Sequence, residues 1–276
     1  MKRNLVLAAL LTPAIALIAV FAVALANILL LSLVDKGGEF SFVYYAQFFS
    51  DERYRNALFR SLWIATYVSA TCAILGYPIA LLMARGSPRL ATLATLMLAT
   101  QFFSIYVVKM YGWMLILGNN GIINRLLMMS GITSEPVPLM YNELGVAIGL
   151  FAAALPLMVF PVNAVLQNIS PRLEEAAHGL GANRLRVLLT VTLPLSSPGI
   201  ISGIILSFVF CFTAYLTPAL LGGGFFKMIG NVIYDQAIGR FNYGLAGAAA
   251  VVTLLVSITV IVAVNKISNS LLGPVR

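Results

Sequence analysis

The sequence predicts an all-α membrane protein with six transmembrane helices, and three observations predict it. Of 276 residues, 61% are hydrophobic and only 9% are charged, against roughly 45–50% and 25% in a soluble domain. Six runs are long and apolar enough to cross hydrocarbon, which takes about 20 residues at 1.5 Å each. The 17 bases and 9 acids fall almost entirely between those runs. Backbone amides in lipid must be bonded within the segment, so such runs fold as helices. With no internal repeat, low-complexity tract or long linker, residues 1–276 read as one membrane domain.

The first run, 5–33, follows Met1, Lys2 and Arg3. It is much longer than the core of a signal peptide, about 7–15 residues, which favours an uncleaved helix. Segment 34–59 mixes Tyr44, Tyr45, Phe48 and Phe49 with Asp51, Glu52 and Arg53 at helical spacing, a pattern for a helix at the membrane interface. The second run is 60–84 and the third 91–117. The third is the most polar, with Gln101, Ser104, Tyr106, Lys109 and Tyr111. Segment 118–143 carries the turn signal Gly118-Asn119-Asn120-Gly121, a short apolar stretch, and Pro136 and Pro138. The fourth run is 144–167. The fifth, 198–221, repeats small residues every fourth position at Gly199, Gly203, Ser207 and Cys211. That makes a seam for close helix contact, within the chain or against a partner. Its outer half holds Tyr215 and Thr217, and the sixth run is 243–264.

With the N-terminus in the cytoplasm, nine bases fall inside: Lys2, Arg3, Arg85, Arg89, Arg172, Arg184, Arg186, Lys266 and Arg276. Seven fall outside: Lys36, Arg53, Arg55, Arg60, Arg125, Lys227 and Arg240. The small excess has the sign of the positive-inside rule and agrees with cytoplasmic termini. Net charge is +8, and its place in short loops explains it by topology, without nucleic acid.

Composition also excludes functions. One histidine, His178, and two cysteines, Cys72 and Cys211, supply neither a zinc set nor a Cys/His nucleophile. Gly222, Gly223 and Gly224 before Lys227 lack the second glycine and the hydroxyl residue of a phosphate loop. No catalytic or metal-binding residue is expected.

The segment between the fourth and fifth runs, residues 170–200, is built as a folded element. Ser170 suits an N-cap and Pro171 the first helical position. Glu174 and Glu175 stand near the positive end of that helix. Ala176 and Ala177 are strong helix formers of little bulk. Gly179 and Gly181 permit a sharp turn, and Leu185, Val187, Leu188 and Val191 then alternate with Arg184 and Arg186. Pro194 and Pro198 mark the entry to the next span. Two readings fit: an interfacial anchor, or a small-faced helix offered to a cytoplasmic partner.

Glu175-Ala176-Ala177, then Gly181, then Leu193-Pro194 resembles the EAA signature of membrane subunits of bacterial ABC importers. Leu75-Gly76-Tyr77-Pro78, Tyr111-Gly112-Trp113, Gly118-Asn119-Asn120-Gly121 with Asn124, Leu155-Pro156 with Pro161, and Leu221-Gly222-Gly223-Gly224 resemble its spermidine/putrescine branch. The resemblance implies the type I importer permease fold in a bacterial inner membrane, with a coupling loop at about 169–197. Glu174, Glu175, Ala176, Ala177, Gly181, Leu193 and Pro194 would face or shape the contact with an ATPase. It implies a second permease, generally a different chain, two ATPase subunits and an extracytoplasmic solute-binding protein. This chain would then bind no cofactor and catalyse no reaction; ATP and Mg would be held by the ATPase.

For the solute pathway the candidates are Gln101, Ser104, Tyr106, Lys109, Tyr111, Tyr215 and Thr217. Lys109 is the only charge well inside a span, and three roles fit it: snorkelling, a structural hydrogen bond, or contact with solute. The branch implies a polyamine. No acid lies within the six runs, however, and Lys109 would repel a polycation. Two readings stand equally: a polyamine with the acids supplied by the partner permease or the binding protein, or a neutral, zwitterionic or anionic solute resembling an amino acid, an opine or a phosphonate. Two rival functions are weaker. A secondary transporter usually shows inverted repeats or embedded acids, and a purely structural membrane subunit would leave the 170–200 segment without a role.

Overall fold

A computed structural model gives the fold. It describes the backbone of residues 2–35 and 37–272 and the side chains of residues 12–35 and 37–267. Lys2, Arg3, Lys36 and Arg276, counted above for topology, lie outside the described side chains.

The sequence-predicted spans are helices. Helix α1 is Lys2–Leu33, a short α2 is Val43–Ser50, and α3 is Glu52–Arg85. α4 (Pro88–Phe103), α5 (Tyr106–Leu117) and α6 (Ile122–Met129) follow. α7 is Glu143–Asn168 and α8 is Pro171–Gly179. Among the described residues five helices are long and apolar enough to cross a membrane, and a sixth span is reached by counting the bent α4–α5/α6 pair as one. An 18-residue apolar window within Thr12–Leu33 of α1 has a mean hydropathy of 2.8 and none of that window is buried within the chain, as expected where lipid is the solvent.

Two expectations need correction. The third run is not one rod: α4 and the α5/α6 segment meet at 107°. The chain is extended at Ser104 and Ile105, with ψ of 146° and 124°. Ser104 donates its hydroxyl back to the Thr100 carbonyl at 2.5 Å, a local bond that competes with helix continuation. The fifth run starts earlier and stops sooner than its hydropathy predicts. α9 (Arg184–Val187) runs through a π-turn at Leu188–Thr192 into α10 (Leu193–Phe212), and a separate α11 (Leu216–Leu221) follows. Pro194 has no amide hydrogen and its ring crowds the carbonyl four residues back. The wider turn relieves this, with the Leu193 amide reaching the Leu188 carbonyl. Pro194 and Pro198 therefore lie within a continuous helix where a helix entry was expected. α12 (Ile229–Tyr234), a π-turn and α13 (Tyr243–Leu272) complete the order.

The chain gathers into two compact units. One comprises Met1–Asn56 with Val232–Leu255. Inside it, α2 buries Tyr44 and Phe48, Ser32 and Tyr45 share a 2.8 Å hydroxyl bond, and Gln236 donates to the Tyr54 hydroxyl at 3.2 Å. Gly244 lies against the Tyr44 ring, with no room for a side chain.

The other unit comprises Ala57–Asn231 with Val256–Arg276. Its core joins α3, α7 and α10 through Ile64, Val68, Leu150, Met158, Val162 and Phe208. The small-residue seam of the fifth span packs within the chain. A Cβ at Gly203 would lie 2.5 Å from Met158 Sδ and 2.9 Å from its carbonyl oxygen, and one at Gly199 would lie 2.9 Å from the Pro161 carbonyl. Small residues here let two helix backbones approach closely, as membrane interfaces require.

Candidate functional site

The 170–200 segment forms two short helices joined by a tight turn. α7 ends as Ile169 turns extended. Ser170 occupies the N-cap position, yet its hydroxyl makes no capping bond; Pro171 starts α8 through its fixed φ. At the far end Leu180 and Gly181 donate to the Ala176 and His178 carbonyls, and Ala182 to Ala177. Gly181 has φ +87°, a conformation in which a Cβ is costly. Gly179 has no such backbone need. Asn183 then caps α9 by accepting from the Arg186 amide at 2.8 Å.

The two glutamates have different surroundings. Glu174 turns inward: Arg85 Nε, at the end of α3, donates to its Oε1 at 3.2 Å, and Thr192 Oγ1 donates to the same oxygen at 3.3 Å. Arg85 Nη2 also donates to the Ile169 carbonyl at 2.7 Å. One guanidinium thus ties the end of α3 to both the entry and the first turn of α8. Glu175 and Ala176 are exposed, Ala177 is half-buried, and Leu180 is 91% exposed at the turn. α8 buries none of its residues, so it presents a small-faced surface braced from behind. Leu193 and Pro194, on α10, are exposed, and of the second apolar run only Val187 is buried.

The candidate pathway residues separate into groups. Gln101, Ser104, Tyr106 and Lys109 gather at the α4–α5 break. Gln101 Nε2 donates to the Ala152 carbonyl of α7 at 3.1 Å. Lys109 Nζ donates to the Gln101 carbonyl at 2.7 Å and stands 5.4 Å from the Tyr106 ring centroid. Its ammonium thus meets one of the carbonyls left over at the end of α4. Ser104, Tyr106 and Lys109 line a cleft of about 230 Å³ with Phe102, Leu157 and Phe210. Thr217 is fully buried and bonds the Tyr106 hydroxyl at 2.5 Å. Tyr111 is exposed and does not line the cleft, and Tyr215 meets Asn231, whose side-chain amide donates to its carbonyl at 3.0 Å.

Sequence reasoning missed two groups. Arg85 was counted only as a loop base. Glu143, the first residue of α7, accepts from Trp63 Nε1 at 3.1 Å, and Trp63 packs on Tyr67 at 5.7 Å, giving an acid beside aromatic faces.

Apolar helices of spanning length, with an exposed and braced helix-turn between two of them, define a membrane-spanning subunit. Comparison with known proteins makes the class specific. Residues 76–272 match the family described as binding-protein-dependent transport system inner membrane component, and the chain belongs to that family. It is the inner-membrane permease component of a binding-protein-dependent ABC importer. It is similar to the spermidine/putrescine transport system permease protein PotB of Haemophilus influenzae, 31% identical over 78% of this chain and 77% of that one. It is also similar to the putative 2-aminoethylphosphonate transport system permease protein PhnU of Salmonella typhimurium, 26% identical over 90% and 87%. A chain of a bacterial ABC transporter that imports the acidic polysaccharide alginate shares the fold, with TM-score 0.76 and 19% identity over 98% of this chain and 96% of that one.

Proposed function

We propose that this permease couples a solute path to a separate ATPase chain through α8 and the turn at Gly181. The observation that carries the reading is the contrast between the two glutamates: Glu174 is braced by Arg85 and Thr192, while Glu175, Ala176 and Leu180 stand exposed. A partner that binds this surface can move α8 as a lever, and through Arg85 the push reaches α3. The chemistry of ATP and Mg belongs to that partner. This chain's work is differential stabilisation of two access states.

In this reading both termini and the 170–200 segment face the cytoplasm. The complex pairs this permease with a second, different one, two ATPase subunits and an extracytoplasmic solute-binding protein. The path runs by the cleft at the α4–α5 break. The solute is a small charged nitrogen compound, as the names of the two relatives support. Purification of the tagged chain from cells expressing the whole importer tests the assembly. Co-elution of an ATPase, with hydrolysis stimulated by the loaded binding protein, is the expected result; isolation of this chain without a nucleotide-hydrolysing partner contradicts it.

A further inference from the structure

Resting on the pathway reading above, we propose that the cleft at the α4–α5 break is a subsite for an oxyanion, so that the solute carries a carboxylate or phosphonate past Lys109. Among the described residues, the Lys109 ammonium meets the Gln101 carbonyl at 2.7 Å and the Tyr106 ring at 5.4 Å. The Gln101 carbonyl, in the last turn of α4 at its negative end, and a ring face offset only part of a formal positive charge, and a charge held in a spanning segment ordinarily finds an opposite partner. Among the described residues lining the cleft there is no acid. The acid that opens α7, Glu143, stands ten residues before Ala153 of the cleft wall, about 15 Å along the axis. α5 begins at Tyr106, so its N-terminal partial charge adds to the positive potential. Ser104 lines the same cleft, its hydroxyl donating to the Thr100 carbonyl at 2.5 Å. Cation and helix N-terminus converge on one small cleft, and both favour a negative oxygen. A polycation meets repulsion there.

The test reads the potential of the cleft without needing the solute. Ser104→Cys is placed in the complete importer, with Cys72 and Cys211, both buried, left in place and the unsubstituted importer as the labelling control. The cysteine is labelled with an anionic methanethiosulfonate, the ethylsulfonate, and with its cationic trimethylammonium counterpart. Each rate is divided by that with a free small thiol. The anionic reagent is expected to be favoured at least roughly tenfold, the scale of electrostatic focusing in a charged cleft. Lys109→Met should collapse the preference, and Lys109→Arg should keep it. Phe102→Cys, on the same cleft, is the second reporter should Ser104→Cys not assemble. A ratio near one, a ratio that Lys109→Met leaves unchanged, or no labelling at either position overturns the subsite. The readout is independent of transport, so it stands or falls separately from the assembly with an ATPase.

Discussion

Arg85 and Glu174, 89 residues apart in sequence, meet at 3.2 Å where α3 ends and α8 begins. The same guanidinium holds the Ile169 carbonyl. The contact couples the end of a spanning helix to the helix that a partner would push, and the account of transmission follows from it.

Removing either partner should loosen α8. Arg85→Ala or Glu174→Gln is expected to lower stability by about 1.5–3 kcal/mol, the range for hydrogen bonds to charged groups. Both side chains are 21% exposed, so the lower part of that range applies. Thermal unfolding of the purified importer checks this. Glu175→Gln, on the exposed face, should stay within about 0.5 kcal/mol.

The exposed face should govern coupling more than stability. Gly181→Asp forces a side chain into a left-handed conformation at φ +87°, costing about 1–2 kcal/mol. No atom lies within 4 Å of a Cβ there, so the chain should still insert. Glu175→Lys should insert as well. Both should keep normal membrane levels while uptake per ATP hydrolysed falls severalfold, as measured in proteoliposomes.

Close packing of α7 on α10 sets a steric test. Gly203→Val drives a side chain into Met158, and overpacking of this kind costs about 1–3 kcal/mol. Gly112→Ala, with nothing within 4 Å, should be neutral or slightly stabilising. Comparison of their melting midpoints separates backbone approach from general sensitivity to substitution.

Tyr106→Phe removes the partner of the fully buried Thr217 hydroxyl. That hydroxyl retains the Met110 sulfur at 3.3 Å, a weak acceptor. A loss of about 1–2 kcal/mol is expected, again read by thermal unfolding, and Thr217→Val in the same background should recover part of it.

The helices were legible because apolar runs of spanning length leave the backbone no other solution. The turn at Gly181 was legible because its neighbours specify a helix on either side. The break at Ser104 was not, since Ile105, Val107 and Val108 keep the run apolar across it. Nor was the brace: Arg85 looks like any loop base until the fold brings α8 beneath it. Glu143 and Trp63, 80 residues apart, were hidden in the same way. Lys109 could be located but its partner could not, because a carbonyl left over by a helix end has no signature in a hydropathy profile.

The central claim is that α8 seats in a nucleotide-hydrolysing partner on the cytoplasmic side. Ala176→Cys in the complete importer, treated with a short bifunctional thiol reagent, tests it most directly. The account predicts a cross-link from position 176 to a cysteine introduced in the ATPase, suppressed when the ATPase is omitted, and no labelling by an impermeant maleimide added to intact spheroplasts. Rapid labelling of position 176 from outside the spheroplast, or no cross-link to any ATPase position, would contradict it.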